Sequence, residues 1–315
     1  MPKDYCSILT QKLHVDGCGT APPNIKYFLF VETPKPWPEN EKSHENYPNY
    51  AYDLANGNCK IHLLAPGSFS KEGLTKILFF KRTEDDVSHY DRKEYQIPNS
   101  QVKELLEYLF SLETSRKSSK FDEYASESNN IRDLFICGHL AKDYCCGTFG
   151  DALFQFTKEY ITNHQNEFAN LRIWQTSHLK GHKFAPTTID FPEGRFWAHL
   201  SQDIMINKLL PIENESSLED LRLHIRGLAG TNNFGQLAER EFLIKYGSAW
   251  IKKKKSILVT QDPEDKNLAT VRVIFEKDGK QETHDVKVSF LEETITVSEH
   301  ACGATSVFKQ AKVTF

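Results

Sequence analysis

Four side chains in the middle of this 315-residue sequence have the types and spacing of metal ligands. Cys137 and Cys146 are separated by eight residues, and His178 and His182, separated by three, follow about thirty residues later. Thiolate and imidazole ligands together favour zinc or an iron–sulfur centre, whereas hard cations prefer carboxylates. The pattern therefore predicts a metal centre with two sulfur and two nitrogen ligands.

The residues around these four leave some alternatives open. The two histidines could share one face of a helix, as in zinc sites with histidines at i and i+4. Gly181 between them and Pro186 soon after favour a loop instead. Cys145 is adjacent to Cys146 and must point in a different direction, which favours a non-ligand. His139 could contact a ligand or be exposed to solvent.

Two segments resemble a known family. CGHLAKDYCCG (137–147) and WQTSHLKGHKFAP (174–186) are similar to segments of the sucrase/ferredoxin-like family, whose members include thioredoxin-like [2Fe-2S] ferredoxins with two histidines in place of the second cysteine pair. Weaker matches extend from about residue 17 to residue 240. One position departs from the expected pattern, because Lys180 stands where we expect a glycine. The [2Fe-2S] ligands that the resemblance implies are Cys137, Cys146, His178 and His182.

Such a ligand set predicts a one-electron carrier. Two thiolates and two neutral imidazoles leave an oxidised cluster less negative than four thiolates do, so it accepts an electron more easily. Centres with two histidines have reduction potentials of about −150 to +300 mV, against about −400 mV for plant-type centres with four cysteines. Since imidazole can also gain or lose a proton, we expect the potential to depend on pH. A separate reductase and a separate electron acceptor are then implied as partners.

Three other functions compete with electron transfer. One of them, thiol–disulfide exchange through Cys145 and Cys146, is disfavoured because adjacent cysteines lack the C-x-x-C spacing of such enzymes. A structural zinc site in a binding module would use the same two cysteines and two histidines. Glycoside hydrolysis, suggested by the family's name, requires a pair of carboxylates, and no motif in the sequence marks such a pair. We therefore keep structural zinc as the alternative, and we regard the chain as an electron-transfer protein rather than a stand-alone enzyme.

Composition restricts the environment and the partners of the protein. A net charge of −4 and a pI near 6.3 give no indication of nucleic-acid binding. The seven cysteines are odd in number and unevenly spaced, which argues against a disulfide framework. The start of the sequence lacks an apolar signal core, and no stretch approaches the length of a membrane span. We therefore expect a cytoplasmic protein without a membrane partner.

The length favours more than one domain, and the patterns divide the chain into three. We predict an N-terminal α/β domain over residues 1–120, a thioredoxin-like ferredoxin domain over residues 121–247, and a small antiparallel β domain over residues 248–315. The pattern of the middle block predicts strand, helix, strand, hairpin and helix, which is the order of a thioredoxin-like fold. In proteins of that fold the proline before the hairpin, here Pro186, is often cis. We expect Cys146 just before the helix, whose free N–H groups would donate to cluster sulfur.

Overall fold

A computed structural model describes residues 5–67, 70–111, 119–126, 130–298 and 305–315. These residues form a mixed α/β structure with a ten-stranded sheet and a separate four-stranded antiparallel sheet. The α-helices are α1 (Cys6–Lys12), α2 (Tyr50–Leu54), α3 (Val102–Phe110), α4 (Asp151–Asn163), α5 (Gln202–Ile204), α6 (Asn233–Tyr246) and α7 (Ser248–Ile251). Among the described residues, none of the helices has the length and apolar character needed to cross a bilayer.

The ten strands of the large sheet come from the first two predicted blocks, and the four strands of the small sheet from the third. The large sheet contains β1 (Tyr27–Glu32), β2 (Cys59–Leu64), β3 (Leu74–Arg82), β4 (Tyr90–Pro98), β5 (Ala125–Ser126), β6 (Arg132–Cys137), β7 (Leu171–Thr176), β8 (Thr188–Phe191), β9 (Arg195–Trp197) and β10 (Ile225–Leu228). The small sheet contains β11 (Lys255–Gln261), β12 (Leu268–Lys277), β13 (Lys280–Ser298) and β14 (Thr305–Thr314). The predicted α/β fold class is confirmed.

The middle of the large sheet has the connectivity of a thioredoxin-like fold. Its strands lie in the order β9-β8-β6-β7, with β6 and β7 parallel and β8 antiparallel to β6. Helix α4 connects the two parallel strands, and α6 follows the β8–β9 hairpin. Two parallel strands need a crossover connection between them, and α4 provides it. The order strand, helix, strand, hairpin agrees with the one that the sequence pattern predicted.

The two halves of the large sheet join at a narrow point beside the predicted histidine ligands. Strand β2 pairs with β7 through the single register pair Leu64 and Thr176. Next to it, the backbone N–H of Ser177 donates to the carbonyl of Leu63 at 2.8 Å. The first block therefore fixes the end of β7 immediately before His178. The predicted domain limits, 1–120, 121–247 and 248–315, stay a prediction.

An aromatic core crosses this join and buries the cysteine side of the predicted site. Phe30 of β1 stacks on Phe135 of β6 with ring centroids 3.7 Å apart, and Phe80 of β3 stacks on Phe191 of β8 at 3.9 Å. Burial of such rings is the main stabilising contribution of a core. Cys137, at the end of β6, belongs to the same cluster of buried side chains. The carboxyl end of β6 is thereby held firmly from the side of the first block.

The small sheet packs against α6 and α7. Phe242 of α6 and Trp250 of α7 contact Phe275 of β12, with ring centroids 5.9 and 4.9 Å away. Beneath them, the carboxylate of Glu239 accepts two hydrogen bonds from Arg195, both at 2.8 Å, and both side chains are almost fully buried. Both terminal nitrogens of Arg195 are thus paired with both oxygens of Glu239, which offsets the cost of burying the two charges. The third block is thus attached to the helix that completes the thioredoxin-like fold.

Candidate metal centre

The cysteine segment begins at the end of β6 and turns directly into a helix. Cys137 is the last residue of β6 and is fully buried. The carboxylate of Asp143 then accepts hydrogen bonds from the backbone N–H groups of Cys145, at 2.8 Å, and Cys146, at 3.2 Å. This is the bonding of a helix N-cap, for which aspartate is favoured. A π-helical turn, Cys146–Gly150, follows and leads into α4.

This arrangement corrects one sequence prediction. We expected Cys146 just before a helix, with free N–H groups directed at the metal site. Cys146 instead lies within the first helical turn, and its own N–H is bonded to Asp143. The cause is that Asp143, three residues before Cys146, caps the helix, so the helix begins earlier than predicted. Asp143 therefore replaces sulfur as the acceptor at this helix terminus.

Two glycines allow the helical turn to lie close to the strand end. A β-carbon on Gly150 would stand 1.8 Å from the carbonyl oxygen of Cys137, and one on Gly147 would stand 2.4 Å from the side chain of Leu140. No side chain larger than hydrogen fits such a distance. The close approach brings Cys146 back beside Cys137, although eight residues separate them in sequence.

The histidine segment is a loop with two successive left-handed residues. Lys180 has φ of 61° and Gly181 has φ of 74°, after which a 3₁₀ turn spans His182–Phe184. The alternative of two histidines on one helix face is therefore wrong. Lysine at a left-handed position is unfavourable, which explains why glycine is expected there. The peptide bond before Pro186 is cis, as predicted.

Three of the four predicted ligands converge. One donor atom each from Cys137, Cys146 and His178 forms a group in which all atoms lie within 4.8 Å of one another. Nδ1 of His178 lies 3.9 Å from Sγ of Cys137 and 3.6 Å from Sγ of Cys146. His182 stands outside that group, with its ring centroid 6.1 Å from that of His178. Its Nδ1 lies 3.9 Å from the carboxylate of Asp143.

The site is buried on the cysteine side and open on the histidine side. Cys137 and Cys146 have at most 1% exposure, whereas the side chain of His182 is 31% exposed. Leu140 and Tyr144, in the segment between the two cysteines, are 56% and 66% exposed. The histidine side is therefore the side of the site that solvent reaches.

The two sulfur atoms favour different protonation states. Burial raises the pKa of Cys137, but hydrogen bonds from Cys146 and His178 outweigh burial and hold this pKa well below its usual value. The shared hydrogen bond, together with burial, raises the pKa of Cys146. Because a bound metal requires both thiolates, its binding would release the proton that the pair otherwise shares.

A buried cation stands behind the histidine loop. Arg226 is 1% exposed and donates hydrogen bonds to the carbonyls of Lys180, at 3.2 Å, and Thr20, at 2.8 Å. Burial lowers its pKa to about 10, against the opposing effect of Cys146 and Cys137, so it remains charged at neutral pH. Arg226 thus fixes the loop and places a positive charge near the sulfur atoms of Cys137 and Cys146.

The neighbouring candidates lie elsewhere. Cys145 is buried and outside the group of donor atoms, with its Sγ 3.3 Å from that of Cys6. His139 is 2% exposed, with Nε2 2.9 Å from the carbonyl of Pro38, so the exposed alternative is wrong. Sequence reasoning missed the roles of Cys6, Asp143 and Arg226. An aspartate placed just before a helix is a recognisable cap signal. The weak family match includes Arg226 but gives it no role, and no local pattern marks Cys6.

The side chains that meet here fit a soft or borderline metal. Two thiols and an imidazole form one group of donor atoms, and a second imidazole lies beside the first. Such donors suit zinc or an iron–sulfur cluster and do not suit calcium or magnesium. The residues that would hold either group are Cys137, Cys146, His178 and His182.

Comparison with known proteins gives one match that covers most of the chain. A profile described as sucrase/ferredoxin-like matches residues 18–216. A thioredoxin-like [2Fe-2S] ferredoxin from Aquifex aeolicus is a solved structure similar to part of the chain, with 14% identity over 32% of this chain and 94% of the ferredoxin, and a TM-score of 0.26. Among curated proteins, none matches the sequence.

Proposed function

Because the chain belongs to the sucrase/ferredoxin-like family, we propose that it carries single electrons on a [2Fe-2S] cluster. The observation that supports this proposal is the convergence of Cys137, Cys146 and His178 within 4.8 Å, with His182 beside them. When bound, a cluster of this kind would supply reversible one-electron transfer. The proposed ligand pairs are Cys137 with Cys146 on one iron and His178 with His182 on the other.

The protein's contribution is to bury one side of the centre and expose the other. The aromatic core excludes water from Cys137 and Cys146, while the side chain of His182 reaches solvent. Since electrons pass between proteins over short distances, the exposed imidazole side is where electrons would enter and leave. We propose that a separate reductase and a separate acceptor dock there, against Leu140 and Tyr144.

Three features of the chain would raise the reduction potential. His178 and His182 each replace a thiolate by a neutral ligand, and Arg226 adds a buried positive charge. All three favour the extra electron, because they make the surroundings of the centre less negative. An imidazole that takes up a proton on reduction would also make the potential fall as pH rises.

Anaerobic purification with spectroscopy and metal analysis tests this function. We expect a red-brown protein with visible absorption bands and about two irons and two acid-labile sulfides per chain. Chemical reduction should bleach the bands, and reoxidation should restore them. A colourless protein that contains about one zinc per chain, and that stays colourless after reconstitution with iron and sulfide, would exclude the proposal.

Structural zinc is kept as the second candidate because of one observation. The donor atoms of Cys137, Cys146 and His178 lie close enough together to share a single ion. Since zinc has no redox chemistry, zinc alone would leave the protein without electron-transfer activity. Measuring iron, zinc and sulfide in the same sample separates the two candidates.

A further inference from the structure

Outside the proposed ligand set, two sulfur atoms lie almost within bonding range. Sγ of Cys6 is 3.3 Å from Sγ of Cys145, and both residues are fully buried. A disulfide bond has a length of about 2.05 Å, so a relative movement of about 1 Å would allow these sulfurs to bond. The two residues are 139 positions apart in sequence, so the fold itself brings them together.

The first helix connects these sulfurs to both ligand segments. Helix α1 begins at Cys6, whose sulfur contacts Cys145, the neighbour of the proposed ligand Cys146. Further along the same helix, the hydroxyl of Thr10 donates to the carbonyl of Lys183, which follows the proposed ligand His182. Helix α1 is therefore in contact with the cysteine segment and with the histidine loop at the same time.

We propose that Cys6 and Cys145 are a second redox site, a dithiol that converts reversibly into a disulfide and so fixes α1 over the metal centre. This pair differs from the adjacent Cys145 and Cys146, whose backbone separation does not allow an ordinary disulfide without distortion. The Cys6–Cys145 bond would join two segments that already touch. The helix would keep its present position and would lose the ability to move away.

The oxidant of this step would be a low-molecular-weight disulfide, for example glutathione disulfide. One of the two protein sulfurs, as a thiolate, attacks the small disulfide, forms a mixed disulfide and releases one glutathione thiolate. The second protein thiolate then attacks the mixed disulfide, forms the Cys6–Cys145 bond and releases the second glutathione. In total, Cys6 and Cys145 lose two electrons and two protons. The glutathione disulfide takes them up and becomes two glutathione thiols.

Access to the pair requires a local opening of α1. Both sulfurs are buried beneath this helix, which is only seven residues long. A single short helix opens at a lower free-energy cost than the core of a fold. We therefore expect oxidation to be slow compared with that of an exposed thiol, and to proceed without unfolding of the large sheet.

The disulfide has a consequence for the metal centre. A covalently fixed α1 would hold the cysteine segment and the histidine loop together, and so slow the release of metal to a chelator. This consequence rests on the proposed function, whereas formation of the disulfide does not. The two are tested by different measurements on the same full-length protein.

The first measurement maps the disulfide. The protein with its metal is equilibrated in glutathione buffers of increasing oxidised fraction, alkylated, digested without reduction and analysed by mass spectrometry. We expect a Cys6–Cys145 cross-linked peptide that increases with the oxidised fraction and disappears with dithiothreitol. Cys6→Ser and Cys145→Ser should abolish it. Cys59→Ser, which removes a buried thiol of β2 distant in sequence from both, should leave it unchanged.

Two results would overturn the redox site. One is alkylation of Cys6 and Cys145 at every glutathione ratio while the metal stays bound. The other is an oxidised Cys145 that pairs with a different cysteine in the wild type. Iron, zinc and sulfide are quantified in each sample, so failure of the disulfide is distinguished from failure of the proposed cluster.

The second measurement follows metal release to a chelator before and after oxidation. We expect release to be several-fold slower from the oxidised wild type than from the reduced wild type. Cys6→Ser, treated identically, should release its metal at one rate under both conditions. Equal rates from the oxidised and reduced wild type, with the disulfide present, would overturn the link between α1 and the metal centre.

Discussion

The guanidinium of Arg226 occupies the space that a side chain on Gly181 would need. A β-carbon on Gly181 would lie 2.5 Å from Nη2 of Arg226, and the backbone of Gly181 is left-handed, with φ of 74°. Glycine is therefore required here for two independent reasons. The buried guanidinium of Arg226 therefore packs against the loop between His178 and His182 and restricts its conformation.

The first prediction concerns the two left-handed residues of this loop. Gly181→Ala should destabilise the protein by about 1–3 kcal/mol and reduce its metal content, because it adds both backbone strain and a collision with Arg226. Lys180→Gly is the matched control and should be neutral or stabilising by up to about 1 kcal/mol, since glycine adopts the left-handed conformation without the backbone strain that lysine has there. Urea unfolding and metal analysis check both variants. A Gly181→Ala protein as stable and as metal-rich as the wild type would contradict the described loop.

The second prediction concerns the charge of Arg226. Arg226→Met should lower the reduction potential by tens of millivolts, because it removes a buried positive charge that favours the added electron, in surroundings of effective dielectric constant of about 20. Arg226→Lys keeps the charge but not the paired hydrogen bonds, so its potential should stay closer to that of the wild type. Redox titration followed by visible absorption checks both. Equal potentials in Arg226→Met and wild type would show that this charge does not act on the centre.

The third prediction separates the two adjacent thiols. Cys146→Ser replaces a soft thiolate by a poor hydroxyl ligand and should lose the colour or greatly weaken it. Cys145→Ser should keep the spectrum, because Cys145 faces Cys6 and lies outside the group of donor atoms. Absorbance per chain after identical reconstitution checks this pair. A bleached Cys145→Ser protein beside a coloured Cys146→Ser protein would reverse the assignment.

The sequence predicted the ligand segments better than their surroundings. Strands that end at Cys137 and near His178 follow from short apolar runs, and the structure contains both. Strands β4, β11 and β14 were not predicted, because apolar and polar residues do not simply alternate along them. Such strands are defined by pairing with a neighbour, and pairing partners are not visible in a local pattern.

The parts of the site that escaped prediction all depend on contacts between distant residues. Arg226 donates hydrogen bonds to carbonyl groups of residues more than forty positions away in sequence. The sulfur of Cys6 contacts that of Cys145, which is 139 positions away. No periodicity or motif encodes such a contact. Asp143 is the exception, because a cap is a local feature and its position just before a helix could have been recognised. The helix start was misplaced because that cap was overlooked.

The fourth prediction tests the role of the imidazoles. In His178→Cys and His182→Cys, a thiolate adds a negative charge and removes a titratable ring, so variants that keep a cluster should have lower potentials. The wild-type potential should fall with rising pH, at most by about 59 mV per unit for one electron and one proton, and the slope should be smaller in the variants. Potentiometric titration over a range of pH checks both effects. If both variants kept the wild-type potential and slope, neither histidine would be a ligand.

The most direct test of the central claim detects nitrogen bonded to the cluster. The protein is produced with ¹⁵N-labelled histidine, reduced by one electron, and studied by pulsed electron paramagnetic resonance. We predict two strongly coupled ¹⁵N nuclei in the wild type, with one of them lost in His178→Cys and the other in His182→Cys. A reduced cluster that shows no strong coupling to histidine nitrogen would contradict ligation by His178 and His182.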